Sequence, residues 1–199
     1  MESISRNQEQ PMVDQVYTKN GEIIVRTARI GDAALIVDYF EKNRRFLKPW
    51  EPSRDEAFFS INTWRQRLIK LHELHQIALG YYLIILSVDK EEMLGTISFS
   101  QVARFPMYSC NVGYSLAETA QGRGVMTKAL TMACNYMFEK QNMHRICAAF
   151  MPRNHKSEQV LRRVGFKNEG KADNYLLIDG KWEDHILMAL HNPDWKENE

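Results

Sequence analysis

The stretch Gln121-Gly122-Arg123-Gly124 joins an apolar run at residues 109–116 to a segment, residues 125–141, with apolar residues at helical spacing. Two glycines at the start of a helix leave backbone N–H groups pointing outward, with the positive end of the helix dipole behind them. The stretch is not a P-loop, because no Gly-Lys-Ser/Thr follows, and it lacks the third glycine of a dinucleotide fingerprint. It therefore predicts either an anion-binding turn or simply a tight loop between a strand and a helix.

The segments on either side of this turn predict a sheet with both parallel and antiparallel strands. Three consecutive strands precede the turn, and a strand, a helix and two more strands follow its helix. Asp179-Gly180 between two apolar runs is a strong hairpin signal, whereas Pro49 and Pro52 exclude regular helix from residues 46–52. The predicted order is β-α-α-β-β-β-α-β-α-β-β, a fold of the α/β class with a mixed α+β sheet. The strands fall at about 22–28, 81–88, 93–102, 109–116, 145–151, 167–178 and 181–190, and the helices at 31–43, 53–75, 125–141 and 154–164.

Composition and charge exclude several classes of protein. Of the 199 residues, 44% are hydrophobic and 26% are charged, which is typical of a globular chain with a real core. Lys and Arg number 26 against 25 Asp and Glu, so no overall field draws the chain to nucleic acid or to an acidic membrane. No apolar run approaches the ~20 residues of a membrane span, and no secretory signal is evident. We therefore expect a cytoplasmic protein without direct nucleic-acid binding.

The sequence predicts one domain between two tails. We expect a flexible tail at residues 1–20, the domain at residues 21–191, and a C-terminal tail at residues 192–199. His72-x-x-His75 lies on one predicted helix but has no third ligand nearby, so no metal site is expected. The three cysteines have neither disulfide nor metal spacing, and we expect them to be buried, reduced thiols. They are Cys110, Cys134 and Cys147.

A second candidate motif is Asn154-x-x-Ser157 at the head of the helix that follows the next strand. Asn is a favoured N-cap and the serine lies in the first turn, so by itself the pattern predicts only a capped helix. Together with Gln121-x-x-Gly124, the intervening strand and Gly165-Phe166, it resembles the GNAT superfamily of acetyl-CoA-dependent N-acetyltransferases. The resemblance covers about residues 22–191 and implies the GNAT fold, with strands splayed at the cofactor site.

Three further segments resemble the RimJ type within that superfamily, whose members acetylate the N-terminal alanine of a small-subunit ribosomal protein. The segments are Phe46-Leu47-Lys48-Pro49-Trp50-Glu51-Pro52, Tyr175-Leu176-Leu177-Ile178-Asp179-Gly180-Lys181-Trp182 and Pro193-Asp194-Trp195. The resemblance implies an acyltransferase with acetyl-CoA as co-substrate and no metal. It also implies a ribosomal protein N-terminus as acceptor and direct transfer of the acetyl group in a ternary complex.

The resemblance further implies which residues bind the cofactor. The pantetheine arm would pair with the backbone of Tyr114, Ser115 and Leu116, and Asn154 would hold it from the next helix. The pyrophosphate would rest on the backbone of the glycine turn, that is on Gln121, Gly122, Arg123, Gly124, Val125, Met126 and Thr127. The side chains of Arg123 and Lys128 are candidate contacts for phosphates. Met126 replaces the usual Gly or Ala, which we expect to alter packing behind the turn rather than to abolish binding.

Two residues are candidates for the acid–base chemistry. Many members of the superfamily place a tyrosine seven residues after the Asn to protonate the departing thiolate, and this chain has Leu161 there. We expect Ser157 to contact the sulfur instead and to help protonate it. Glu51 is the candidate base, because the flanking prolines fix its loop, and Glu183 and Asp184 are alternatives. An α-amine with a pKa of ~7.7–8.0 needs only a weak base.

The acceptor is the least determined part of the prediction. Trp50, Glu51 and Tyr175 are the candidate acceptor-binding residues. One alternative keeps acetyl-CoA and changes the acceptor to a small amine or an antibiotic, for which we expect a deep, acidic pocket. Another is a non-catalytic, ribosome-associated binding module, which the absence of the usual tyrosine keeps open.

Overall fold

The strands of this chain form one sheet, and helices with one apolar face pack against it. The structure, a computed structural model, describes residues 16–89 and 92–197. Its strands are β1 (Tyr17–Asn20), β2 (Ile23–Thr27), β3 (Tyr81–Ser87), β4 (Met93–Ala103), β5 (Ser109–Leu116), β6 (Arg145–Phe150), β7 (Lys167–Ile178) and β8 (Lys181–His191). Its helices are α1 (Ala33–Leu47), α2 (Ile61–Gln76), α3 (Val125–Glu139) and α4 (His155–Val164). Short 3-10 turns lie at Ile30–Asp32, Lys48–Trp50, Glu56–Phe59 and Glu118–Ala120.

The described strands form one sheet in the order β1-β2-β3-β4-β5-β6-β8-β7. Every neighbouring pair is antiparallel except β5 and β6, which are parallel. The predicted α/β class with a mixed sheet is therefore confirmed. Asp179 and Gly180 join β7 to β8 with φ angles of +43° and +78°. Positive φ at both residues is typical of a tight hairpin turn, so the predicted hairpin is also confirmed.

The parallel pair at the centre of the sheet separates after three residues. Ser109–Asn111 of β5 pair with Arg145–Cys147 of β6, and no pair follows although both strands continue. Antiparallel pairing holds the far side of β5 to β4 as far as Leu116, and it holds β6 to β8 as far as Phe150. The two strands therefore diverge while each keeps its other neighbour. The predicted splaying of strands is confirmed.

Apolar faces attach the helices to the sheet and to one another. Phe40 of α1 stacks on Trp64 of α2 with ring centroids 5.5 Å apart, and Phe58 meets both rings edge-on. Such arrangements suit the aromatic quadrupole and add to the gain from burial. The buried stripe of α3 includes Ala129 and Leu130, as the sequence predicts. Within the described residues, no helix is long and apolar enough to cross a membrane.

The structure differs from the predicted boundaries in four places. Tyr17–Asn20 form strand β1 against β2, so the prediction of a flexible tail up to residue 20 is wrong for these four residues. Such a short, mostly exposed strand has no apolar alternation from which to predict it. The rest of that tail prediction, residues 1–15, lies outside the described residues.

Helix α1 extends to Leu47 rather than to residue 43, so the exclusion of regular helix from residues 46–52 is wrong for residues 46 and 47. Pro49 allows this because it fits the first turn of the 3-10 helix that follows. Helix α2 begins at Ile61 rather than at residue 53, because the separate 3-10 turn Glu56–Phe59 precedes it.

The fourth difference is at the C-terminus, where the predicted tail packs against the domain. The Trp195 indole N–H donates to the carbonyl oxygen of Asn142 over 3.1 Å. Its ring centroid lies 5.0 Å from that of Tyr108 and 5.5 Å from that of His144. Residues 192–197 are thus part of the folded structure around the start of β6.

Candidate active site

The glycine turn before α3 has the backbone geometry of an anion site. Gly122 and Gly124 have φ angles of +73° and +71°, a region that glycine enters without strain. A Cβ built at either glycine meets nothing within 4 Å, so open space faces the turn. The first helical bond runs from the Lys128 N–H to the Gly124 carbonyl over 3.0 Å. The N–H groups of residues 125–127 therefore have no acceptor within the helix and suit a phosphate group.

The divergence of β5 from β6 leaves the end of β5 with one unpaired edge. Tyr114, Ser115 and Leu116 pair with β4 on one side only. Backbone N–H and C=O groups along such an edge can bind an extended chain that carries amides. Together with the glycine turn, this edge fits an extended ligand with amide groups and phosphates, which are the features of the pantetheine arm and pyrophosphate of coenzyme A.

The side chain of Ser115 is tied to the helical layer rather than turned to a ligand. Its Oγ lies 2.9 Å from the Tyr39 hydroxyl of α1 and 3.0 Å from Thr96 Oγ1 of β4. Burial raises the pKa of Tyr39, so its phenol stays neutral. Sequence reasoning missed Tyr39 and Thr96, and the only signal was the place of Tyr39 on the apolar face of its helix. These bonds fix β5 relative to α1 at the end of the strand.

Helix α4 begins beside this strand end and brings Ser157 to it. The Asn154 side-chain oxygen accepts the Ser157 N–H over 3.1 Å, so Asn154 caps the helix. Ser157 Oγ lies 2.8 Å from the hydroxyl of Tyr114, and that hydroxyl also donates to the Ser157 carbonyl oxygen over 3.2 Å. Leu161, one turn further along, is fully buried. The cofactor candidates Tyr114, Asn154 and Ser157 thus lie together at the divergence of the strands.

Glu51 lies on the wall of a cleft that reaches β5. The cleft has a volume of about 370 Å³, and its lining includes Glu51, Arg54, Tyr82, Thr96, Tyr114 and Ser115. Burial raises the pKa of the Glu51 carboxyl, although Arg54, whose Nη2 is 3.6 Å from Glu51 Oε2, partly opposes this. A raised pKa makes the carboxylate a better proton acceptor near neutral pH. The structure therefore places the candidate base and the candidate cofactor edge in the same cleft.

A second cavity adjoins the first on the side away from β5. It has a volume of about 300 Å³. It shares four lining residues with the cleft, namely Phe40, Glu51, Arg54 and Phe58. Its outer wall includes Lys48 and Asp179. The two cavities together leave room for an acceptor longer than a small amine.

A backbone hydrogen bond and the Arg153 side chain hold the Glu51 loop against the β7–β8 hairpin. The Asp179 N–H donates to the Glu51 carbonyl oxygen over 3.1 Å. Arg153 donates to the Pro49 carbonyl over 3.2 Å and pairs with Glu183 over 3.1 Å. Its guanidinium carbon also lies 5.3 Å from the centre of the Trp50 ring. Arg153, which sequence reasoning missed because no motif marks it, therefore connects the loop to β8.

The other acceptor and base candidates lie outside the two cavities. Neither Trp50 nor Tyr175 lines the cleft or the second cavity. The guanidinium of Arg153 lies over the Trp50 ring, and the Tyr175 ring lies 5.6 Å from the ring of His185. Glu183 is paired with Arg153, and Asp184 with Lys171 over 2.6 Å. Neither the two alternative bases, Glu183 and Asp184, nor the two acceptor-binding candidates, Trp50 and Tyr175, line the cleft. Glu51 therefore has the strongest geometric support as the base.

The remaining candidates show no catalytic arrangement. His75 is buried with its ring 4.9 Å from that of Tyr81, and His72 lies 3.1 Å from the Gln76 amide. Within residues 16–89 and 92–197, no group of three metal-ligating side chains occurs. Burial raises the pKa of Cys110 to about 12 and also raises that of Cys134, so both are poor nucleophiles.

Both the sequence and the structure of this chain are similar to those of known acetyltransferases. The acetyltransferase (GNAT) domain family matches residues 22–167. The ribosomal protein uS5-alanine N-acetyltransferase of Escherichia coli (strain K12) is 43% identical over 183 residues, covering 92% of this chain and 94% of that protein. The crystal structure of the ribosomal-protein-S5-alanine acetyltransferase of Vibrio fischeri is 44% identical, with a TM-score of 0.89 over 92% of this chain and all of that one. Mycobacterium smegmatis RimJ, in complex with CoA-disulfide, is 28% identical with a TM-score of 0.84, covering 90% of this chain and 88% of that one.

Proposed function

Because this chain belongs to the GNAT family of acetyltransferases, we propose that it acetylates the N-terminal α-amine of alanine on a small-subunit ribosomal protein. It is an acyltransferase that takes its acetyl group from acetyl-CoA. The observation that carries the proposal is the 43% identity to an enzyme of this specificity along 92% of the chain. The cleft of about 370 Å³ and the adjoining cavity of about 300 Å³ support it, because a peptide acceptor needs room beyond its terminal amine. We place the enzyme in the cytoplasm, where its acceptor is made.

The backbone of this chain does most of the cofactor binding in this proposal. Acetyl-CoA supplies an activated acetyl group as a thioester. The unpaired edge of Tyr114–Leu116 binds the amides of its pantetheine arm, and the N–H groups of residues 122–127 bind its pyrophosphate. Arg123 and Lys128 add positive charge nearby. Asn154, whose side-chain oxygen caps α4, holds the start of that helix against the arm.

Glu51 acts as the general base toward the acceptor amine. An α-amine with a pKa of ~7.7–8.0 is partly neutral at neutral pH, so Glu51 has to remove only the one proton that the nitrogen loses as the amide forms. The buried carboxyl group with its raised pKa suits this task. Ser157, at the divergence of β5 and β6, contacts the departing sulfur and helps its protonation from water. Transfer is direct, within a complex that holds both substrates.

The test is release of coenzyme A from acetyl-CoA in the presence of short peptides, with intact mass to locate the acetyl group. The panel contains peptides with a free N-terminal Ala, a free N-terminal Ser, and a blocked N-terminus with an internal Lys. We expect transfer to the free Ala terminus. Transfer to the blocked peptide contradicts the proposal and indicates lysine or small-amine chemistry. Binding of acetyl-CoA without transfer to any peptide, or to the folded ribosomal protein, indicates a binding module.

A further inference from the structure

Tyr114 has a hydroxyl group that the roles of Glu51 and Ser157 leave without a function. The hydroxyl lies 2.8 Å from Ser157 Oγ and 3.2 Å from the Ser157 carbonyl oxygen. Its hydrogen bonds connect β5, which contains Tyr114, to α4, which contains Ser157 and follows β6 in the chain. They therefore link the two sides of the divergence between β5 and β6. Tyr114 also lines the cleft that contains Glu51. Its side chain therefore lies between the acceptor cleft and the serine that we assign to the sulfur.

The Tyr114 hydroxyl is a permanent hydrogen-bond donor. Burial raises the pKa of the phenol, so the group stays protonated throughout the working pH range. It has one proton and two acceptors within reach, both on Ser157. When the proton points at Oγ, the Ser157 O–H is directed away from Tyr114 and is free for a third group. A hydroxyl that accepts one hydrogen bond also becomes a stronger donor in the next.

We propose that Tyr114 is a positioning residue that orients and polarises the Ser157 hydroxyl toward the sulfur of coenzyme A. The inference rests on the proposed function only in placing that sulfur beside Ser157. Leu161, where a tyrosine is usual, is fully buried and cannot present any group there. Tyr114 thus supplies a tyrosine hydroxyl from a strand, and it acts through Ser157 rather than on the sulfur itself.

The chemical step balances without ionising either hydroxyl. The acceptor nitrogen bonds to the carbonyl carbon, the carbon–sulfur bond breaks with its electron pair on sulfur, and the nitrogen proton passes to Glu51. The Ser157 O–H donates a hydrogen bond to the sulfur as negative charge develops there. The thiolate then takes its proton from water. Tyr114 stabilises this charge by strengthening the donation from Ser157.

The first test measures the pKa of the thiol of bound coenzyme A and needs no acceptor. Calorimetry in buffers of different ionisation enthalpy, between about pH 6 and 9, gives the protons released on binding, with desulfo-coenzyme A as the control ligand. We expect the bound thiol pKa to lie below its free value in the wild type. We expect it to rise by about one unit in Tyr114→Phe and in Ser157→Ala, which lose the donated hydrogen bond.

The second test is single-turnover acetyl transfer with the free Ala peptide. Tyr114→Phe and Ser157→Ala should each slow transfer by about tenfold with little change in coenzyme A affinity. The double variant should be no slower than Ser157→Ala, because both changes remove one interaction. Tyr81→Phe is the matched control, since the Tyr81 hydroxyl donates to Gln141 away from the cleft. It should keep the wild-type rate of transfer.

The inference is overturned if Tyr114→Phe still binds coenzyme A and the pKa of the bound thiol is the same as in the wild type. It is also overturned if the double variant slows transfer by the product of the two single effects. Should Tyr114→Phe fail to fold, a fluorinated tyrosine at position 114 replaces it. The fluorine strengthens donation by the phenol, so the bound thiol pKa should fall further; a rise or no change contradicts the inference. Absence of any peptide acetylation contradicts the proposed acceptor alone, because the thiol measurement does not depend on it.

Discussion

Gly95 of β4 lies directly against the carbonyl oxygen of Ser115 in β5. A Cβ at position 95 would approach that oxygen to well within 3.0 Å, a separation that real Cβ atoms essentially never show. Gly95 pairs with Leu116 in the sheet, at the strand end whose other edge is unpaired. The absence of a side chain at position 95 therefore allows β5 to lie where the candidate cofactor edge is formed.

Replacing Gly95 by Ala should destabilise this part of the sheet. The obstacle is a backbone oxygen, so β4 or β5 has to move, and we expect the free energy of unfolding to fall by about 2 kcal/mol. Coenzyme A binding should weaken with it. Chemical denaturation and calorimetry measure the two effects. Gly113→Ala is the matched control for stability, because its Cβ would meet only Ser98 Oγ at 3.6 Å.

Gly124→Ala tests the backbone conformation of the turn before α3. Gly124 has a φ of +71° and open space around it, so the cost is backbone strain alone, about 1 kcal/mol of unfolding free energy. We also expect weaker binding of coenzyme A, because relaxation of the strain turns the N–H groups at the start of α3. Gly31→Ala has the same open space without a positive φ and should not destabilise the protein. Equal coenzyme A affinity in both variants would contradict an anion site at this turn.

Glu51→Gln should lower activity and raise stability at neutral pH. Loss of a general base predicts a decrease in kcat of about 10²-fold or more. The pH–rate profile should also lose the acid limb due to Glu51, while the limb due to the acceptor amine stays. Peptide acetylation followed across pH measures both. Asp184→Asn is the control, because Asp184 pairs with Lys171 and lines neither cavity. A Glu51→Gln variant with the wild-type profile would exclude this residue as the base.

The stability effect of Glu51→Gln should depend on pH. Burial raises the folded-state pKa of Glu51 above 4.5, so the folded protein binds more protons than the unfolded chain between 4.5 and that raised value. The stability of the wild type therefore falls as pH rises through this window. Since Gln has no such charge, its advantage should be complete above the window and absent below it. Melting temperatures of both proteins at several pH values measure this difference.

Arg153→Ala tests whether the clamp on the Glu51 loop supports catalysis. Loss of the bonds to the Pro49 carbonyl and to Glu183 should let the loop move. We expect kcat/KM for the acceptor peptide to fall by about tenfold, since a base displaced by a fraction of an ångström transfers protons poorly. Coenzyme A affinity should not change. Arg162→Ala, which removes an exposed ion pair with Glu158 within α4, should leave kcat/KM as it is.

Features that depend on neighbours in the sequence were predictable. The turn at Gly122 and Gly124, the hairpin at Asp179-Gly180 and the cap at Asn154 each depend on the backbone preferences of a few consecutive residues. Their order along the chain also carried the resemblance to the GNAT superfamily and, with it, the mixed sheet. The short strand β1 was missed, because four mostly exposed residues carry no apolar period.

Only the tertiary structure brought together the residues of the candidate site. Tyr114 and Ser157 are 43 residues apart, and Tyr39 and Ser115 are 76 apart, so no local pattern indicates either hydrogen bond. The structure also places Glu51, and not Glu183, on the wall of the cleft, because the way the loop meets the hairpin decides which carboxylate faces it. The sequence by itself determined which residues turn, cap and alternate, since those are local backbone and side-chain preferences. Which side chains meet across the diverging strands depended on sheet order and packing, and these arise only when the whole chain folds.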